Sequence, residues 1–215
     1  MVIMPKISRE ESLARRGQVI DACAELYRTR GYHDITMAQI AEGVTFGRAN
    51  IYNYFQNKDE VFLALLQREH ELWAADLSAL EQVVVHDPSA FDDAALAQAL
   101  AASLEPRTAM LKLLATSIFD MEQFSRHERL VELKQAYKDV LAALRSLLRA
   151  AKPSWDEARA DRFAFSFMPF LHGVFPYAFH SDKQLAAMRE VGVADPGLGV
   201  ADLVGACVLK LLQDG

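Results

Sequence analysis

Five side chains with nucleic-acid chemistry fall within seven residues, at Arg48, Asn50, Tyr52, Asn53 and Tyr54. A guanidinium spans O6 and N7 of guanine, and a carboxamide pairs with N6 and N7 of adenine, each contact giving roughly 1–3 kcal/mol of discrimination. The phenols of Tyr52 and Tyr54 suit phosphate oxygens. Gly47 and Ala49 keep the same stretch slim enough to press against a duplex, and Lys58 adds a positive charge just beyond it. Thr36, Gln39 and Thr45 lie upstream, with Thr36 and Lys58 at expected helix starts, where free N–H groups favour a phosphate.

Other chemistries find no foothold. The histidines at 33, 70, 86, 127, 172 and 180 lack metal-ligand spacing, and no glycine-rich phosphate loop, Gly-x-Ser-x-Gly elbow or His-Glu-x-x-His occurs. Neither an enzyme nor a bound metal or cofactor is expected. Cys23 and Cys207 sit far apart among apolar neighbours, as small buried hydrophobes in a reducing cytoplasm do. Met1–Pro5 is too short for a signal peptide, and no apolar run reaches the roughly 18–20 residues of a membrane span. The expected location is the cytoplasm, with no membrane partner. The net charge of −6 hides an asymmetry: residues 1–58 carry +2 and residues 59–215 carry −8. Positive potential is concentrated where the base-reading side chains lie.

The elements that must position these residues read as helices throughout. The 215 residues are 52% hydrophobic with only 10 Gly and 7 Pro, and no segment sustains strand alternation. Ser8-Arg9-Glu10-Glu11 opens a first helix that Gly31 closes as its C′ residue. Thr36-Met37-Ala38-Gln39 caps a second that reaches about Glu42, Gly43-Val44-Thr45 turns, and a third runs from about Phe46 to Asn53. Asn57 caps a long fourth helix reaching Val83 or beyond. Further helices are expected at 91–104, 108–124 and 127–151, then from a Ser154-Trp155-Asp156-Glu157 cap past Phe170, near 182–191, and to about Gln213. The fold class is all-α: a three-helix head (residues 1–57) carrying a helix-turn-helix, and a larger C-terminal helical bundle (58–215). Ile40, Phe46, Ile51 and Phe55 supply the head's inward apolar groups.

Ile40-Ala41-Glu42 followed by Asn50-Ile51-Tyr52-Asn53-Tyr54-Phe55-Gln56-Asn57-Lys58-Asp59-Glu60 resembles the signature of the tetracycline-repressor (TetR) family, as does Gly31-Tyr32 ahead of it. The specific resemblance covers about residues 8–65. Val44-Thr45 and Gly47 depart from it, standing where the family usually has a small residue with Gly and then a Ser. The resemblance implies a transcription regulator, usually a repressor, that binds double-stranded operator DNA as a homodimer and is released by a small-molecule effector. It also implies that the long helix from Lys58 acts as the lever between effector and DNA.

Two features of the C-terminal part bear on these implications. The helix after Ser154 is apolar on two faces, Phe163/Phe167/Phe170/Val174 and Phe165/Met168/His172, and so must be covered twice. Ala201 and Gly205 continue a small-residue ridge from Gly197 on the last helix, flanked by Val204 and Val208. Phe163, Phe167, Phe170, Val174, Ala201, Val204, Gly205 and Val208 are the expected dimer interface. Met110, Phe119, Gln123, Tyr137, Phe165, Met168 and His172 are the candidate lining of an effector pocket, with plain core packing as the alternative for each.

Overall fold

The computed structural model describes residues 8–116 and 118–213, and every regular element among them is helical. The reading of Met1–Pro5 lies outside the described residues. Helices α1 (Arg9–Thr29), α2 (Met37–Glu42), α3 (Lys58–His86), α4 (Asp93–Leu104), α5 (Thr108–Leu114), α6 (Ile118–Gln123), α7 (His127–Ala151), α8 (Glu157–Ala178), α9 (Asp182–Glu190) and α10 (Val200–Gln213) follow in chain order. They form two compact units. The first comprises residues up to 67 together with 119–133, and the second holds 68–118 and 134–215. The first unit therefore extends past the expected boundary at residue 57 and includes a piece of chain from the far side of α4 and α5.

Local rules account for most helix ends. The Ser8 hydroxyl accepts the Glu11 N–H at 3.0 Å, and Thr36 and Gln39 form a reciprocal capping box. Four expectations need correction. Gly31 is no left-handed C′ residue: its φ is −78° and its N–H instead donates to Asp34 at 3.2 Å, opening a short 3-10 turn. The expected helix at 108–124 breaks into α5 and α6, because the Thr116 N–H tightens onto Leu113 O at 2.9 Å. Asp156, rather than Ser154, caps α8, accepting the Arg159 N–H at 2.8 Å. Gly197 adopts φ +66° in the loop before α10 and adds nothing to a helical ridge.

In the first unit Tyr27 and Phe62 meet edge-to-face at 5.1 Å amid buried Val19, Ile20, Ile35, Ile40, Ile51 and Phe55. In the second, α10 packs on α4 and α8, and α5 packs on α8. Trp73 is fully buried and donates to Ser103 Oγ at 3.0 Å. This arrangement bears on the expected dimer interface. Phe163, Phe167, Val174, Val204 and Val208 are buried within this unit, and a Cβ added at Gly205 would sit 3.8 Å from the Ala101 Cβ. Gly205 thus faces α4 of the same chain. The apolar face that α8 leaves exposed runs instead through Phe165, Pro169, Gly173 and Tyr177.

His70 is the second unit's buried polar exception. It is 3% exposed, its ring lies 6.0 Å from that of Tyr137, and neither nitrogen has a hydrogen-bond partner among the described residues. Burial first, then the positive fields of His172 and Lys134, push its pKa down to about 4. The unfolded chain, with an ordinary histidine near 6.5, therefore takes up this proton first as pH falls. His70 should withdraw about 3 kcal/mol of stability between pH 6.5 and 4, from its shift at about 1.4 kcal/mol per pKa unit. Urea denaturation across that range should show a steeper loss in the wild type than in His70→Leu. Equal slopes would rule the assignment out.

Candidate nucleic-acid interface

The segment expected to read bases forms a tighter helix than its sequence predicts. Residues Arg48–Asn53 make a 3-10 helix beginning after Gly47, whose ψ of 135° is non-helical. Its bonds run Asn50 N–H to Gly47 O (2.9 Å) and Tyr54 N–H to Ile51 O (2.9 Å). Asn, Tyr and β-branched Ile have modest helix propensity, and the next helix is capped only four residues on, which favours the short form. Ile51 and Phe55 point inward, with 1% and 0% exposure. Their anchorage leaves Gly47, Arg48, Ala49, Asn50, Tyr52 and Asn53 facing solvent.

Gly43 holds the turn close to α1. A Cβ there would meet the Ala22 Cβ at 2.7 Å, so only glycine allows the helix-turn-helix to sit this near. Gln18 on α1 accepts both the Thr45 hydroxyl (2.8 Å) and the Thr45 N–H (3.4 Å). Phe46 takes the Arg15 guanidinium over its ring at 5.4 Å and the Tyr54 ring at 5.9 Å.

The candidate residues thus divide. Arg48, Asn50, Tyr52 and Asn53 share one exposed segment, and Tyr52 is 59% exposed. Arg48 pairs with Glu42 at 2.7 Å, but both side chains are more than half exposed. Such a pair contributes little, so exchanging Glu42 for a base edge costs little. The Thr36 hydroxyl and the Gln39 amide oxygen serve the α2 cap, and Thr45 is tied to Gln18. Tyr54 is half-buried against Phe46. Lys58 donates to Tyr32 O (3.0 Å) and Ile35 O (3.2 Å) and sits 4.0 Å from the Tyr32 ring centroid, which makes it a clip between the 3-10 turn after α1 and the start of α3. Beneath it, the Tyr32 hydroxyl donates to Asp59; burial and then that bond raise the phenol above its ordinary range.

One pairing had no signal in the sequence. Glu60 is fully buried, and its carboxylate accepts Arg126 Nε and Nη2 at 2.6 Å each, the Arg126 N–H at 3.1 Å and the Gln56 N–H at 2.8 Å. Burial raises its pKa, and the hydrogen bonds from Arg126 and from the two backbone amides outweigh that, leaving it below the usual carboxylate range. The pairing raises Arg126 in turn. In the sequence Glu60 looks like any acidic first-turn residue, and its partner lies 66 positions away.

The candidate pocket residues differ in burial. Met110 and Met168 are buried core, Tyr137 is half-buried, and Phe165 is exposed. His172 places Nδ1 3.0 Å from Leu114 O. Phe119 and Gln123 are exposed members of the other unit. Among the described residues, no cluster of three or more His, Cys, Asp or Glu could hold a metal ion, and no helix is long and apolar enough to cross a membrane.

Comparison with known proteins matches both parts of the chain. The HTH-type transcriptional repressor Rv1474c of Mycobacterium tuberculosis is 32% identical over 72 residues, 34% of this chain and 38% of its own length. The HTH-type transcriptional activator FasR of Mycolicibacterium smegmatis is 38% identical over 63 residues, 29% of this chain and 27% of its own. These matches span well under half the length of the curated relatives. A crystal structure of a TetR-family regulator from Mesorhizobium loti superposes with a TM-score of 0.60 over 96% of this chain and 98% of that one, at 15% identity, a likeness of fold. Residues 19–65 match the bacterial regulatory proteins of the tetR family, and residues 67–213 match the tetracyclin repressor-like C-terminal domain. From the helix-turn-helix to the last helix, the chain belongs to the TetR family of transcription regulators.

Proposed function

We propose that this regulator acts in the cytoplasm as a repressor rather than an enzyme, binding double-stranded operator DNA as a homodimer and releasing it when a small-molecule effector occupies the second unit. The observation that carries the reading is the exposed row Arg48, Asn50, Tyr52 and Asn53 on a segment anchored by Ile51 and Phe55. Rigid presentation of two carboxamides and a guanidinium is what base-edge recognition requires.

A homodimer is supported by the face that α8 and α10 leave uncovered. Pro169, Phe170, Gly173, Val174, Tyr177 and Leu203 line an apolar groove of about 400 Å³, and Tyr177 and Phe165 are 68% and 58% exposed beside it. A second copy would cover this face, and paired heads then address successive major grooves about 34–36 Å apart. An effector that binds better when the heads are wrongly spaced weakens DNA binding by the same factor. The interior of the second unit, apolar apart from His70, suits an apolar effector.

Fluorescence anisotropy of the protein against duplexes flanking its own gene, and against a randomised duplex pool, over a salt series, tests the reading. Tight, steeply salt-dependent binding to one sequence with a dyad-symmetric footprint is expected; equal, weak binding to every duplex would sink it. Arg48→Ala should cost roughly 1–3 kcal/mol at a single base position. Lys58→Ala should lower stability by about 1 kcal/mol in thermal or urea denaturation, since two carbonyls lose their donor. Phe165→Asp with Tyr177→Asp should give a helical monomer in analytical ultracentrifugation, and a persisting dimer would refute this interface.

A further inference from the structure

Only Tyr54, Phe55, Gln56 and Asn57 separate the base-reading segment from α3. The Tyr54 and Phe55 N–H groups close back onto Ile51 O at 2.9 and 3.1 Å. The Gln56 N–H goes to Glu60 at 2.8 Å, and the Asn57 side chain caps α3 through the Glu60 N–H at 3.0 Å. Two further bonds lead to residues 124–126. Asn57 Nδ2 donates to Phe124 O at 2.8 Å, and Arg126 Nη2 donates to Tyr54 O at 3.1 Å. The same guanidinium grips Glu60 through two parallel bonds of 2.6 Å. One planar group thus fixes the carbonyl that ends the base-reading segment and the carboxylate that begins α3.

We propose that Arg126 is a positioning residue for DNA reading: held by Glu60, it sets the pose in which Arg48–Asn53 meets the duplex without touching DNA itself. The proposal rests on the reading that this segment contacts bases. Its geometry depends on the fork, because the bidentate grip and the third bond to Tyr54 O leave from fixed, coplanar nitrogens. A lysine keeps the charge and reaches one acceptor at a time, so the tetrapeptide gains freedom to swing about the buried Phe55 anchor. Nonspecific binding depends on charge and tolerates that freedom; base recognition does not.

The test compares wild type with Arg126→Lys and with the neutral pair Glu60→Gln/Arg126→Gln, which removes the buried charge from both partners. Circular dichroism melts fix a temperature at which all three are folded. At that temperature, affinity is measured for the tightest duplex selected by wild type from a randomised pool and for a scrambled duplex of equal length. Arg126→Lys and the double variant should each lose at least tenfold on the selected duplex and stay within twofold on the scrambled one. A purely structural role would lower both affinities together or neither, and an unchanged ratio in Arg126→Lys would overturn the proposal. If wild type itself does not discriminate the duplexes, the DNA-reading assignment falls, and this inference with it.

Discussion

A carboxylate stripped of water must be satisfied where it stands, and the head is arranged around that constraint at Glu60. Its two oxygens accept four hydrogen bonds, three of them from Arg126. Leaving such a group unpaired costs several kcal/mol in general, so the start of α3 and the turn before α7 behave as one piece. The division into units follows: residues 119–133 pack with the head although more than fifty residues of chain intervene. Arg16 reinforces the same union by donating to Glu132 at 3.0 Å and to Gln67 at 3.3 Å.

That union changes what the polar residues around the turn are for. Thr45, Tyr54 and Lys58 have the chemistry of phosphate contacts, yet each already has internal work: a bond to Gln18, a ring against Phe46, two carbonyls at Tyr32 and Ile35. The fold spends them on holding the segment still. Under the proposed reading, what is left to meet DNA is the exposed strip of Arg48, Asn50, Tyr52 and Asn53. On that reading rigidity and recognition are separate tasks for neighbouring residues: Ile51 and Phe55 are buried while Tyr52 and Asn53 between them stay exposed.

Features set by nearest-neighbour physics were legible in the sequence. Thr36 and Gln39 close their capping box because both partners lie three residues apart, and α7 ends where periodicity and Lys152-Pro153 place it. The Ile51/Phe55 anchors follow from apolar spacing, and the family signature lay within about sixty residues. What escaped is a choice between competing local bonds in two places and a distant partner in a third. Gly31 looks like a helix terminator until Asp34 claims its N–H. The break between α5 and α6 comes from a Thr116 turn inside an otherwise helical run. Nothing at position 60 foretells a partner at position 126, because a charge on one helix reveals only how it relates to that helix.

The same limit applies to the two faces of α8. Periodicity shows that the helix is apolar on two sides, but not which side the chain covers itself. Contacts across the helices settle it: α10 packs on α4 and α8, with Gly205 beside Ala101, and Phe163, Phe167 and Val174 are buried in that core. Pro169 and Pro176 then fall on the outer side. A proline cannot donate to the carbonyl four residues earlier, so Phe165 O and His172 O lose helical partners. Outside the core that loss is tolerable, because water can replace the missing bond, whereas inside it would leave an unsatisfied acceptor. The placement of the prolines and the packing of the glycine thus point to the same inner face, and the Phe165–Tyr177 stripe is what is left for another molecule to cover.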